Sequence, residues 1–235
     1  MTDAASDRLL RANGPRDSVA HMRVAVISDT HLPSLIRTPD QLGPELGEFL
    51  ATADLILHSG DVVRPLVLDW CEQYAQVIVA LGNNDNFDDP RMAPIQFLDL
   101  EGWRVGMLHD LRPEDQPVSQ MIEKKFGGRE LDLIIAGDTH VERLEYRDGV
   151  VILNSGSPTL PHHKETRHGT VALLEIERDR LHAEIITLGP SAGRPNPGTA
   201  SHLVIEERRL IAASRAGVAY RPEDLPAPTT RGVAL

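Results

Sequence analysis

Asp29, His31, Asp61, Asn83, His109, Asp138 and His140 are the side chains of this sequence best suited to hold a metal. Asp and Asn offer hard oxygens, and His offers a borderline nitrogen. That mixture suits Mn²⁺, Fe²⁺, Zn²⁺ or Ni²⁺ better than Ca²⁺. A carboxylate can also bridge two cations. Two cations about 3.5–4 Å apart share a water, lower its pKa and neutralise phosphoryl oxygens during an in-line attack. Asp61 stands centrally in the motif order and is the natural bridge. Taken singly, the motifs are weak. Asp-x-His, Gly-Asp and Gly-Asn-Asn-Asp are ordinary turn sequences, because short polar side chains bond their own backbone. A lone histidine such as His109 is more often a surface or capping residue than a ligand. Position joins them, since each follows an apolar run.

Those runs are MRVAVIS from Met22, DLILHSG from Asp54, QVIVALG from Gln76 and LDLIIAG from Leu131. Each is short, rich in Val, Ile and Leu, and closed by Gly or Ser, which predicts a buried strand. Between the first two lies PDQLGPELGEFLATA, with Leu42, Leu46 and Leu50 on one helical face. Between the second and third lies RPLVLDWCEQYA, with Pro65 suited to a first helical turn. Strands alternating with helices predict right-handed crossovers and a largely parallel sheet. In such a sheet ligands bind beyond the carboxyl ends of the strands, where these polar motifs fall. Further on, 95–109, 142–153 and 169–188 read as hairpins, turning at Glu101-Gly102, Asp148-Gly149 and Arg178-Asp179. Residues 116–126 read as a short helix closed by Gly127-Gly128. The expected fold is α/β, with parallel and antiparallel strands mixed.

The chain has 235 residues, 41% hydrophobic and 25% charged, with a formal charge of −11. This is the balance of a folded domain, and it disfavours duplex nucleic acid, which needs a basic footprint. No apolar run is long enough to span a bilayer, and 1–21 lacks the apolar stretch of a secretion signal. The expected setting is the cytoplasm, without membrane contact. Cys71 is the single cysteine, so no internal disulfide or cysteine-rich zinc site is expected. Three segments are expected: an arm over 1–21, one domain over 22–188, and a Pro/Gly-rich linker and tail over 189–235. Within that tail an amphipathic helix is expected over 203–216, with disorder beyond it.

In ordered combination these motifs resemble the calcineurin-like metallophosphoesterase superfamily. The resemblance is strongest to its small bacterial and archaeal phosphodiesterases, which share a fold with the retromer small subunit. It runs from about Met22 to Leu188 and implies a four-layer α/β/β/α sandwich of mixed sheets. It implies that Asp29 and His31 in ISDTHLP bind a first metal and that Asp61 in HSGDVV bridges to a second. Asn83 in LGNNDN and His109 in GMLHD match ligands of the second metal. His140 in AGDTHVE matches the last histidine of the family's G-H-x-H block, and NSGS at Asn154–Ser157 matches a turn that closes the site. Asp61, Asn83 and His109 are the residues expected to act in catalysis.

Two departures carry consequences. Asp138 stands where the family has the first histidine of G-H-x-H, which gives a harder second site with greater tolerance of Mn²⁺, Mg²⁺ or Fe²⁺. Alternatively the shorter side chain fails to reach, leaving a weak second site. Asn84 stands where some branches have a histidine acting as leaving-group acid, so an activated ester is the better substrate. The implied cofactors are two divalent ions, Mn²⁺ foremost, with Fe²⁺, Ni²⁺, Zn²⁺ or Mg²⁺ as alternatives. The implied activity is hydrolysis of a small phosphoester, a phosphodiester first, by a hydroxide held between the metals. The competing reading is a metal-degenerate scaffold that uses the same fold for protein docking. His58 and Asp85 are read as either supporting residues or packing. His162, His163 and Lys164 are read as a solvated loop, and His168 and Cys71 as packing.

Overall fold

Along β1 (Met22–Ile27), Val24 and Val26 point to one face and Ala25 and Ile27 to the other, and all four are buried. The same alternation recurs in β2 (Leu55–His58), where Leu55 and Leu57 oppose Ile56. It recurs again in β7 (Leu133–Ala136), where Leu133 and Ile135 oppose Ile134 and Ala136. A strand with both faces apolar must be covered on both sides. The computed structural model, which describes residues 21–191, 193–220 and 233–234, meets that demand with four layers. Val24, Val26, Leu57, Met107, Leu133 and Leu153 belong to one core between two sheets. Ala25, Ile27 and Ile56 pack beneath helices α1 (Glu45–Leu50) and α2 (Pro65–Cys71). Ile134 and Ala136 pack beneath α3 (Val118–Phe126).

The first sheet includes β1, β2, β3 (Gln76–Ala80) and β4 (Met92–Ala93), all parallel. β1, β2 and β3 are aligned so that Ile27, His58 and Val79 lie side by side. The chain therefore leaves all three strands at one edge. The second sheet holds β5 (Ile95–Leu100), β6 (Trp103–Leu108), β7, β8 (Glu142–Arg147) and β9 (Val150–Ser155). There β6, β7 and β9 are parallel, while β5–β6 and β8–β9 are the expected hairpins. β10 (Thr170–Glu177) pairs antiparallel with β1, and β11 (Arg180–Thr187) pairs with β10.

Several expectations are corrected. The helix through Leu42, Leu46 and Leu50 is broken at Gly43-Pro44 into a 3-10 turn (Pro39–Leu42) and α1. Gly43 has φ 143°, outside the helical region. The helix expected over 203–216 is a hairpin: β12 (Ser201–Glu206) and β13 (Arg209–Arg215), followed by β14 (Val218–Tyr220). These strands extend the first sheet from β11 outward, so the domain does not stop at Leu188. Leu203, Ile205 and Ala213 enter the core between the sheets. That burial, available only beside β11, overrides a helical pattern readable from local spacing. The tail expected to be disordered also supplies β15 (Val233–Ala234), paired with β8. Residues 1–20 of the expected arm, and 221–232 of the tail, lie outside the described residues. No helix among the described residues is long and apolar enough to cross a membrane.

Candidate metal centre

At the shared edge the two sheets are tied together by a chain of hydrogen bonds. The Ser59 hydroxyl donates to the Ala136 carbonyl at 2.9 Å, and Ser157 Oγ donates to the Asp29 carbonyl at 2.7 Å. The Gly137 amide donates to the His109 carbonyl, and Asn154 Nδ2 to the Gly137 carbonyl. The NSGS turn thus closes the site by gripping both the β1 loop and the β7 loop. Asp29, Asp61, Asp138 and His140 all adopt positive φ, between 54° and 69°. Non-glycine residues there cost of order 1–3 kcal/mol each and persist only where their surroundings fix them. Gly82 is required by contact: a Cβ on it would lie 2.1 Å from the Asp61 amide nitrogen and 2.2 Å from its Oδ1.

Six of the seven expected side chains converge, Asn83 being the exception. Asp61 Oδ2 lies 3.1 Å from His31 Nε2 and 3.3 Å from His109 Nε2. Asp29 Oδ1 lies 3.5 Å from His140 Nε2, 3.8 Å from His31 Nε2 and 3.9 Å from His109 Nε2. Asp138 Oδ1 lies 3.7 Å from His109 Nε2, so the shorter aspartate does reach the cluster. Two groups of ligand atoms, Asp29–His31–His140 and Asp29–Asp61–His109, each fall within 4.8 Å of one another. Asp29 is common to both. The sequence singled out Asp61 as the shared residue, and the geometry adds Asp29 beside it.

Neighbouring groups fix how these ligands point. His109 Nδ1 sits 2.7 Å from the Ser59 carbonyl and His140 Nδ1 sits 2.8 Å from the Leu160 carbonyl. A carbonyl can only accept, so each Nδ1 carries a proton, and in the neutral ring each Nε2 turns its lone pair to the site. Asp85 accepts from the amides of Asp61, Val63 and Gly82 at 2.7–3.0 Å, which makes it the brace of the Gly-Asp turn. His58 bridges the two ligand loops: Nε2 meets Thr30 Oγ1 at 2.9 Å, and Nδ1 accepts from the Gly60 amide at 3.1 Å. Burial pushes the His58 imidazole down to about 4, so it stays neutral in that role.

The electrostatics fit a cation. Buried Asp29 Oδ1, His31 Nε2 and His109 Nε2 have no hydrogen-bond partner, although buried polar atoms normally find one. His31 Nε2 is close to Asp61, but the two are not aligned for a hydrogen bond. Burial alone would lower His31, yet the Asp29 and Asp61 carboxylates outweigh it and raise it to about 9. Burial is likewise outweighed at His109 by Asp61 and Asp29, and its imidazole also rises to about 9. Burial would raise Asp61, but His109, His31 and Asn84 hold it far below the usual carboxylate range. The cluster is thus a buried negative centre that demands positive charge. A divalent cation meets that demand with the same oxygens and nitrogens.

Other placements differ from the sequence reading. Asn83 and Asn84 are both exposed, and it is Asn84 that contacts Asp61, through its amide to Oδ1 at 2.9 Å and its Nδ2 to Oδ2 at 2.6 Å. His163 is exposed, yet its ring stacks on that of His140 at 3.6 Å, and His162 Nε2 lies 3.0 Å from Glu142 Oε2. That loop is part of the site wall rather than free in solvent. His168 and Cys71 are buried, as expected, and burial pushes the Cys71 thiol up to about 12. Arg112, unremarked in the sequence, places Nη2 2.8 Å from Asp138 Oδ2. Its only sequence signal is its place three residues after the strand-end His109.

The arrangement matches a known family. Residues 22–179 match the model of the calcineurin-like phosphoesterase superfamily domain. The chain belongs to that superfamily. A protein of Methanothermobacter thermautotrophicus named "Probable metallophosphoesterase" is 32% identical over 170 residues, covering 72% of this chain and 94% of that protein. A "Probable metallophosphoesterase" of Methanocaldococcus jannaschii is 29% identical, covering 71% of this chain and 82% of that one. Among solved structures, Entamoeba histolytica Vps29 complexed with Zn²⁺ superposes with a TM-score of 0.61 at 21% identity, covering 79% of this chain and 99% of that one. At that identity the likeness concerns the fold.

Proposed function

We propose that this chain is a cytoplasmic phosphodiesterase that uses two divalent cations, Mn²⁺ foremost, with Fe²⁺, Ni²⁺, Zn²⁺ or Mg²⁺ as alternatives. The observation that carries the reading is the set of three buried, unpartnered ligand atoms, on Asp29, His31 and His109, gathered around two carboxylates. Asp29, His31, Asp61 and His140 would hold the first cation, and Asp61, Asn83, His109 and Asp138 the second. Bound there, the cations supply an activated water and neutralise the phosphoryl oxygens.

The chain's own residues set the rest. Asp61 is held by Asn84 with one oxygen facing both His31 and His109, the orientation a bridging carboxylate needs. Ser59 and Leu160 hold the Nδ1 proton of His109 and His140, so a cation need displace only a proton on Nε2 to gain each lone pair. Asn84 spends its side-chain N–H on Asp61 and is a poor proton donor, which favours esters with good leaving groups. Docking without chemistry is the competing reading. It gives no reason for ligand atoms to be buried without partners.

The test is a metal analysis of the purified protein, joined to hydrolysis assays on monoesters and diesters with Mn²⁺, Ni²⁺, Mg²⁺ and Zn²⁺. About two equivalents of divalent metal, with diesterase activity, is the expected result. Protein that takes up no divalent metal and turns over no ester would leave docking as the better account.

A further inference from the structure

Arg112 stands at the mouth of the cluster, with 59% of its side chain exposed. It is not a loose surface arginine. Its backbone amide donates to Asp110 Oδ1 at 2.9 Å, and its Nε donates to the same oxygen at 3.0 Å. Nη2 reaches Asp110 Oδ2 at 3.3 Å and Asp138 Oδ2 at 2.8 Å. Nη1 makes no hydrogen bond among the described residues, so one edge of the planar fork is uncommitted. The Asp138 carboxylate is shared: Oδ2 faces Arg112 and Oδ1 faces His109. A guanidinium therefore lies across a carboxylate from the candidate ligands.

We propose that Arg112 is a phosphate-binding residue of this site, parked on Asp138 until a cation claims that carboxylate. The inference rests on the metal-centre reading and adds a substrate contact to it. The chemistry suits the task. A guanidinium fork matches two phosphate oxygens, and it stays charged at any working pH. Asp110 pre-aims it, so little side-chain freedom is lost when phosphate arrives. Positive charge beside Asp138 also opposes a second cation on that residue, because like charges a few ångströms apart repel. A phosphate group accepting from Arg112 removes that opposition. Phosphate and the second cation should therefore favour each other's binding, and Arg112 should be the reason.

The experiment titrates Mn²⁺ and inorganic phosphate, separately and together, into wild type, Arg112→Gln and Arg112→Lys, with calorimetry as the readout and melting curves to confirm folding. Arg112→Gln is expected to bind the weaker Mn²⁺ equivalent more tightly and to bind phosphate at least about tenfold more weakly, the loss typical of one charge-assisted hydrogen bond. Arg112→Lys keeps the charge without the fork and should fall between the two. The opposite signs matter, since an arginine that merely braced the loop would weaken both ligands together. Both weakening together, or phosphate affinity equal in wild type and Arg112→Gln while Mn²⁺ still binds, would overturn the inference and leave the metal centre standing. No uptake of Mn²⁺ by wild type would overturn the metal-centre reading, and this inference with it.

Discussion

The two halves of the large sheet are made from similar residues and do different work. In the parallel half, β1, β2 and β3 all release the chain at one edge. Asp29, His31, Asp61 and the Asn83-Asn84-Asp85 loop therefore meet there. In the antiparallel half, β10 to β14 release it at alternating edges, through short turns and one longer connection over 188–200, and none of the candidate ligands lies on them. Both halves feed the same core between the sheets: Val24, Val26 and Leu57 from one, Leu174, Leu203 and Ile205 from the other. Strand direction, rather than composition, separates the half that gathers the candidate ligands from the half that only extends the core.

The sharpest test of that division is Asp61→Asn. Asn keeps the shape but replaces the anionic carboxylate with a neutral amide, so hydrolysis should fall by more than the roughly 100-fold seen when only an outer partner of a metal site is lost. Melting temperature should stay near wild type. Substantial turnover at saturating Mn²⁺ would remove Asp61 from the shared position.

The converse change is deletion of 199–235. It strips Leu203, Ile205 and Ala213 from the core and leaves β11 as an exposed edge. Insoluble protein or a severe fall in melting temperature is expected, although no candidate ligand is removed. A truncated protein that melts like the full chain would show that the meander is dispensable.

Asp85→Ala probes the boundary between the two roles. It leaves the amides of Asp61, Val63 and Gly82 without their acceptor, at a cost of about 1–3 kcal/mol. Activity should fall by about 10–100-fold, because the lost brace positions Asp61. Equal denaturation midpoints for variant and wild type would show that water replaces the carboxylate.

The smallest effect is expected from Asp138→His. It exchanges an oxygen ligand for nitrogen and removes the partner of Arg112. Metal preference should move from Mn²⁺ and Mg²⁺ toward Zn²⁺ and Ni²⁺, with activity retained. Superimposable activity curves against every metal, for wild type and variant, would exclude Asp138 from the ligand set.

Much of this was legible in the chain. β1, β2, β3 and β7 announce themselves as short apolar runs, and α2 by Pro65 at its first turn. Asp148-Gly149 marks the β8–β9 hairpin because those residues tolerate positive φ. The β12–β13 turn was invisible for the same reason. Glu207 and Arg208 both take positive φ, yet neither is a residue type that signals it. Arg208 is held there from outside: its guanidinium lies 3.8 Å over the Trp103 ring and Nη2 donates to the Gly102 carbonyl.

The sequence by itself determined the types of the candidate ligands, their order and their places at strand ends, because residue chemistry and a two-residue period are local properties. Tertiary structure decided what distance decides. It made Asp29 common to both groups of ligand atoms, turned Asn84 rather than Asn83 onto Asp61, set His163 against His140 and laid Arg112 on Asp138. Each of those contacts joins loops from different strands, and a contact between loops exists only after the sheets have packed.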